Sequence, residues 1–163
     1  MNGSRIIFGL LAIGGLTGLR TFTPIAVLCW MTMLGRVSAD AGWLGFVANK
    51  FSVGIFTLAG LGELVADKLP STPSRIQGPG LIARLVFGGL CGAILAATAG
   101  YPVLAGSLLG MTGAVVGAFV GWSVRTRAVA ILKFPDFPTA LVEDAIALGG
   151  SILVCSVFAH DLV

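Results

Sequence analysis

The sequence predicts an all-α membrane protein with about five transmembrane helices, and three observations predict it. Of the 163 residues, 56% are hydrophobic and only 10% charged, whereas a soluble domain carries about 25% charged residues. A chain of this length buries only about 70% of its surface on folding, so much of what remains is apolar and must face lipid or a protein partner. The chain also holds 24 glycines. Glycine is more frequent in transmembrane helices than in soluble ones, and glycine-rich disordered chains lack this hydrophobicity. Finally, the apolar residues fall into long runs separated by short segments rich in Pro, Gly and charge.

Residues 1–163 read as a single integral membrane domain. The first span covers about 6–34, longer than the ~20 residues a bilayer requires. Arg20-Thr21-Phe22-Thr23-Pro24 interrupts it. Pro24 lacks an N–H and clashes with the preceding turn, so the span is either one kinked, tilted helix or two half-helices. Met1–Arg5 and Ile6–Leu19 have the outline of a signal peptide, but Gly18-Leu19-Arg20 is no small-residue cleavage site, so this segment is expected to stay as the first helix. Residues 35–42 form a polar loop, and Trp43 is placed to anchor an interfacial segment. The second span covers 49–69. A loop with Pro70, Pro73 and Gly78-Pro79-Gly80 follows. The third covers 81–98, and Gly100-Tyr101-Pro102 makes a tight turn. The fourth covers 103–124, and Arg125, Arg127, Lys133, Pro135, Asp136 and Pro138 mark a loop. The fifth covers 139–158.

The Lys and Arg distribution sets an expected orientation. With five spans, Arg5, Lys68, Arg75, Arg84, Arg125, Arg127 and Lys133 share one side, while Arg36 and Lys50 lie on the other. This places the N-terminus in the cytoplasm and the C-terminus outside, in a bacterial inner membrane. Folding the first segment as a hairpin would spoil that partition. Net charge is +3, too weak to argue for nucleic acid. The expected partners are the bilayer and either further copies of the chain or a larger membrane complex.

Gly14/Gly18, Gly88/Gly92, Gly106/Gly110 and Gly113/Gly117/Gly121 are spaced by four, which puts each set on one helix face and lets backbones approach closely. Gly14-xxx-Gly18-Leu19-Arg20-Thr21 also echoes Gly117-xxx-Gly121 with Arg125-Thr126. With five spans the first and fourth run in opposite directions, as a weak inverted repeat would require.

Ionisable residues inside spans are costly and usually face a protein interior or a water-filled cavity. Arg20 lies near the middle of the first span. Glu63 and Asp67 share a helix face of the second, and Glu143 and Asp144 lie near the start of the fifth. Together with Thr21 and Thr23 these are the candidates for binding or ion coupling. A helix break adds exposed backbone ends, which are ready ion ligands. The alternative is structural: Arg20 pairs with one carboxylate and the others snorkel to water. Ser74, Arg75 and Arg84 are candidate phosphate contacts, although a basic loop is also an ordinary topology signal. Cys29, Cys91 and Cys155 lack metal-ligand spacing and read as small buried residues. His160 has no partner in sequence. No metal, cofactor or catalytic residue is expected, because no nucleophile elbow, phosphate loop or dinucleotide fingerprint is present.

Three strings carry a resemblance: Gly18-Leu19-Arg20-Thr21-Phe22-Thr23-Pro24, Gly62-Glu63-Leu64-Val65-Ala66-Asp67-Lys68-Leu69-Pro70 with Thr72-Pro73-Ser74-Arg75, and Glu143-Asp144-Ala145-Ile146-Ala147. Together they resemble a bacterial family of small membrane proteins known only as a domain of unknown function. The resemblance implies one integral membrane domain and brings no activity. Three roles fit these residues. The first is a small transporter or channel-like protein using the intramembrane charges. The second is a structural subunit of a membrane complex, with the charges as clamps. The third is an intramembrane enzyme on a lipid phosphate, with carboxylates holding Mg²⁺.

Overall fold

In hydrocarbon a backbone N–H or C=O has no water to bond, so an apolar run satisfies itself as a helix. The chain follows this rule. The computed structural model describes residues 2–38, 42–66, 78–132 and 136–160. They form helices α1 (Gly3–Leu19), α2 (Phe22–Met33), α3 (Lys50–Ala66), α4 (Gly78–Thr98), α5 (Val103–Leu132) and α6 (Asp136–His160), with a 3₁₀ helix at Gly42–Ala48 before α3. No strand occurs among the described residues.

Among the described residues, three helices are long and apolar enough to cross a membrane: α4, the Val103–Ala128 part of α5 and the Pro138–Ala159 part of α6. The 3₁₀ helix and α3, bent by 65° against each other, make a fourth if counted as one span. Trp43 sits in that 3₁₀ helix and is exposed. The outer surface is apolar, with Phe8, Phe51 and Leu104 each about three-quarters exposed. Apolar exposure on this scale marks a lipid or protein contact surface.

The expected first span is two helices. Arg20 is extended (φ −137°, ψ 117°) and ends α1, and α2 starts at Phe22. The break falls one turn before Pro24 for a physical reason. Proline cannot donate to the carbonyl four residues back, and its ring clashes with it; for Pro24 that residue is Arg20. Within the first turn of α2, by contrast, Pro24 forfeits no helical bond.

Contacts along the helices give their directions. Gly14 meets Gly110 and Gly18 meets Ala114 and Ala118, so α1 and α5 run parallel. Gly92 meets Gly106 and Gly88 meets Ala114, so α4 runs against α5. Gly9 lies on Phe158 and Gly150 on Leu16, so α6 runs against α1. The edge-to-face pair Phe22–Phe87, together with the Thr98 hydroxyl donating to the Ser38 carbonyl at 2.6 Å, aligns α2 with α4. Hence α2 turns back along α1. Gly60 beside Phe22 and Thr23, and the Trp30 indole N–H donating to Thr57 Oγ1, run α3 against α2.

Directions therefore alternate from α1 to α6, and both ends of the described chain lie at the same end of the bundle. This corrects two expectations. The first segment is a hairpin, so the five-span charge partition does not apply. The helices of the Gly14 and Gly117 echo run parallel and pack on each other, so the echo is no inverted repeat. The loop expected at 125–138 is helical in its described residues: α5 continues through Arg125 and Arg127 to Leu132, because no Gly or Pro stops it before Pro135. Likewise α6 already begins at Asp136, with Pro138 tolerated in its first turn.

The spaced glycines lie where backbones touch. A Cβ on Gly14 would overlap the Gly110 carbonyl, one on Gly117 that of Gly15, and one on Gly92 that of Gly106. Gly18 and Gly113 are equally confined by neighbouring backbone, Gly88 by the Ala114 side chain and the Gly110 carbonyl, and Gly121 is buried. α1 thus lies against α4, α5 and α6 in the interior, and α2 is buried from Thr23 to Cys29. Gly35 (φ +69°) ends α2 and Gly100 (φ +63°) ends α4. In each, the following N–H returns to the helix, Arg36 to Met31 and Tyr101 to Ala96, both at 2.8 Å. The three cysteines are free and buried.

Candidate functional site

Breaking a helix inside a packed bundle leaves two sets of backbone groups to satisfy. The end of α1 presents carbonyls and a partial negative charge; the start of α2 presents N–H groups and a partial positive one. The neighbouring helices supply one side chain of the correct sign to each. From α3, the Glu63 carboxylate accepts the Thr21 N–H at 2.7 Å on one oxygen and the Phe22 N–H at 2.8 Å on the other. From α4, Arg84 donates through Nε to the Gly18 carbonyl at 3.0 Å and through a terminal nitrogen to Gly80 in its own first turn at 2.9 Å. Both interactions are charge-assisted hydrogen bonds.

The extended residue at the break, Arg20, is fully buried. Its guanidinium pairs with the Asp144 carboxylate of α6 at 2.6 Å, and Asp144 is 14% exposed. One residue earlier, Glu143 is also buried and faces Arg125 of α5 at 3.6 Å. Thus α1, α3, α4, α5 and α6 all send charge to one end of the bundle, around the point where α1 gives way to α2.

The structure brings together Arg20, Thr21, Glu63, Glu143 and Asp144 among the candidates read from sequence. Thr23, on the first turn of α2, and Asp144 line a cavity of about 300 Å³ between α2, α3 and α6, whose remaining wall is mostly apolar. Asp67, Ser74 and Arg75 lie outside the described residues. Arg84 differs from its expected role. It is 5% exposed and donates to the backbone carbonyls of Gly18 and Gly80. It lies within the span expected at 81–98, and an intramembrane arginine needs a buried partner; that signal pointed to its role as a cap. Arg125 was also missed, because its helix was expected to stop before it.

Among the described residues, no three His, Cys, Asp or Glu side chains are grouped to hold a metal ion. Among the described residues, charge is balanced within the protein: Arg20 faces Asp144, Arg125 faces Glu143, and Glu63 and Arg84 cap the two helix ends. No protein-family model, curated protein or solved structure matches the chain.

Proposed function

We propose that the protein is a six-helix membrane protein that works as a small carrier or channel-like protein for an ion or small solute. Asp144 carries this reading, because it is at once the partner of Arg20 at the helix break and part of the cavity wall. A proton or cation reaching Asp144 from the cavity weakens its hold on Arg20, and Arg20 stands at the joint between α1 and α2. One carboxylate thereby links occupancy of the cavity to the geometry of the break. The three strings that resemble the small bacterial family contain Arg20, Glu63 and Asp144, so membership of that family belongs to the same proposal.

With six alternating helices, Arg84, Arg125 and Arg127 count with the hairpin end and Arg5, Arg36 and Lys50 with the other; by sequence order alone, Lys68 and Arg75, between α3 and α4, and Lys133, between α5 and α6, are added to the first group. The excess of basic residues assigns the hairpin end to the cytoplasm of a bacterial inner membrane and both termini to the outside. A membrane-impermeant maleimide applied to intact cells would then label Asn2→Cys and Arg36→Cys but not Arg127→Cys. The reverse pattern refutes this orientation.

Proteoliposomes test the carrier reading through proton, potassium and chloride flux. Wild type is expected to exceed empty vesicles, and Asp144→Asn to lose most of that flux. Wild type no faster than empty vesicles, or Asp144→Asn no slower than wild type, rejects it.

A second reading, an accessory subunit of a membrane complex, is favoured by the pairing of Arg20, Glu63, Arg84, Arg125 and Glu143 within the chain. Here the charges clamp helices together and move nothing. Co-purification of a stoichiometric partner in mild detergent supports it; migration as a free small species counts against it. The lipid-phosphate enzyme has least support, since Arg84 donates to backbone carbonyls and the described carboxylates Glu63, Glu143 and Asp144 meet main-chain N–H groups, Arg125 and Arg20 respectively.

A further inference from the structure

The two halves of α6 are held to the bundle in different ways. In the second half, Ser151, Cys155 and Phe158 are buried, and the Phe158 ring lies on Gly9 of α1. In the first half, between Pro138 and Leu148, the buried residues are Ala140, Glu143 and Ala147. The large apolar side chains of this stretch, Leu141, Val142, Ile146 and Leu148, are each about half exposed. Two alanine methyls bury little apolar surface. The strong inward ties of the first half are its carboxylates. Asp144 reaches Arg20 at the end of α1 at 2.6 Å, and Glu143 reaches Arg125 of α5 at 3.6 Å.

Between the halves stands Gly149-Gly150-Ser151. Sharp helix kinks occur at such Gly and Ser pairs. The Ser151 hydroxyl donates to the Ala147 carbonyl at 2.6 Å, a bond back along the helix that tends to bend it. Packing does not require the first of these glycines, because a Cβ on Gly149 would meet no atom within 4 Å. The first half also has room to move. Asp144, Ala145 and Leu148 form one wall of the cavity of about 300 Å³ between α2, α3 and α6, so that flank borders open space.

We infer that Pro138–Leu148 is a hinged arm. It bends at Gly149-Gly150 and is latched against the bundle by the Arg20–Asp144 and Arg125–Glu143 pairs. When the carboxylates lose their charge, the arm swings outward and widens the cavity toward Arg20. Leu141 lies eight residues before Gly149, roughly 12 Å along the helix, so a kink of about 25° displaces it by roughly 5 Å. As a gate the arm rests on the carrier reading. As a motion it is read as a distance, so failure of the hinge and failure of flux are told apart.

Double electron–electron resonance between two nitroxide labels in phosphatidylcholine vesicles tests this. One label pair, Leu141→Cys with Ile82→Cys on α4, reports on the arm. A second, Leu153→Cys with Leu104→Cys on α5, reports on the anchored half. All four sites are exposed, while Cys29, Cys91 and Cys155 are buried and stay unlabelled. Glu143→Gln/Asp144→Asn removes both charges and keeps the side-chain shapes. It is expected to add a second population to the arm distance, shifted by roughly 5 Å, and to leave the anchored distance unchanged. Adding Gly149→Ala should cut that population about fivefold, the difference in helix propensity between glycine and alanine. Where the double variant does not fold, Arg125→Met, at a site 18% exposed, is expected to give the same shift in a smaller share of molecules. An arm distance that stays single in every folded variant overturns the inference. So does an equal shift of both label pairs, which means general loosening, or a displaced population that survives Gly149→Ala undiminished, which places the bend elsewhere.

Discussion

Removing one member of the Arg20–Asp144 pair should cost far more than removing both. Arg20→Met leaves Asp144 as a carboxylate that is 14% exposed and without the Arg20 guanidinium. Asp144→Leu leaves a guanidinium that is fully buried. Breaking a buried pair from one side costs about 3–5 kcal/mol, while replacing both members by apolar groups of similar volume is often neutral or stabilising. The partly exposed Asp144 retains some access to water, so Arg20→Met belongs at about 3 kcal/mol and Asp144→Leu nearer 5. In a chain of this size about 1 kcal/mol moves the melting temperature by roughly 2–4 °C. The expected losses are then roughly 6–12 °C for Arg20→Met and 10–20 °C for Asp144→Leu, with the double variant falling less than either. The protein supplies its own reporter. Cys29, Cys91 and Cys155 are free and buried, so a thiol-reactive dye becomes fluorescent only on unfolding and follows the transition in detergent. Single variants melting within about 2 °C of wild type, or losses that simply add in the double variant, would refute the buried pair.

Three further outcomes follow from the same geometry. Gly117→Ala places a methyl against the Gly15 backbone, which cannot yield as a flexible side chain does, and is expected to cost about 1–3 kcal/mol by overpacking; Gly54→Ala, into open space, should be neutral or stabilising by up to about 1 kcal/mol, and the same thiol-dye melts check both. Glu63→Gln keeps the shape of the cap but offers one acceptor where there were two, so one of the Thr21 and Phe22 N–H groups faces an amide donor. A loss of about 2–3 kcal/mol is expected, with faster hydrogen exchange at those two amides. Arg84→Met uncaps the end of α1 and should lower stability by about 1–3 kcal/mol, whereas Arg84→Lys, a single point charge in place of a two-pronged donor, should recover only part of that in the same assay.

The sequence alone determined that the chain is helical and apolar enough for a membrane, because hydropathy and composition are local quantities that need no partner to be read. It also placed the break between α1 and α2, since a proline's missing donor and ring clash act within one turn. The intramembrane charge rule singled out Arg20, Glu63, Glu143 and Asp144 as residues needing company. Only the tertiary structure decided what that company is. Whether a broken helix continues onward or folds back depends on what covers its two exposed ends. Here Glu63 and Arg84, 41 and 66 residues away from Phe22 and Gly18, supply those covers. That reversal turned one expected span into a hairpin, set α1 parallel to α5 and brought both described chain ends to the same end of the bundle. Pairings between residues so far apart follow from packing, which no pattern within one helix encodes.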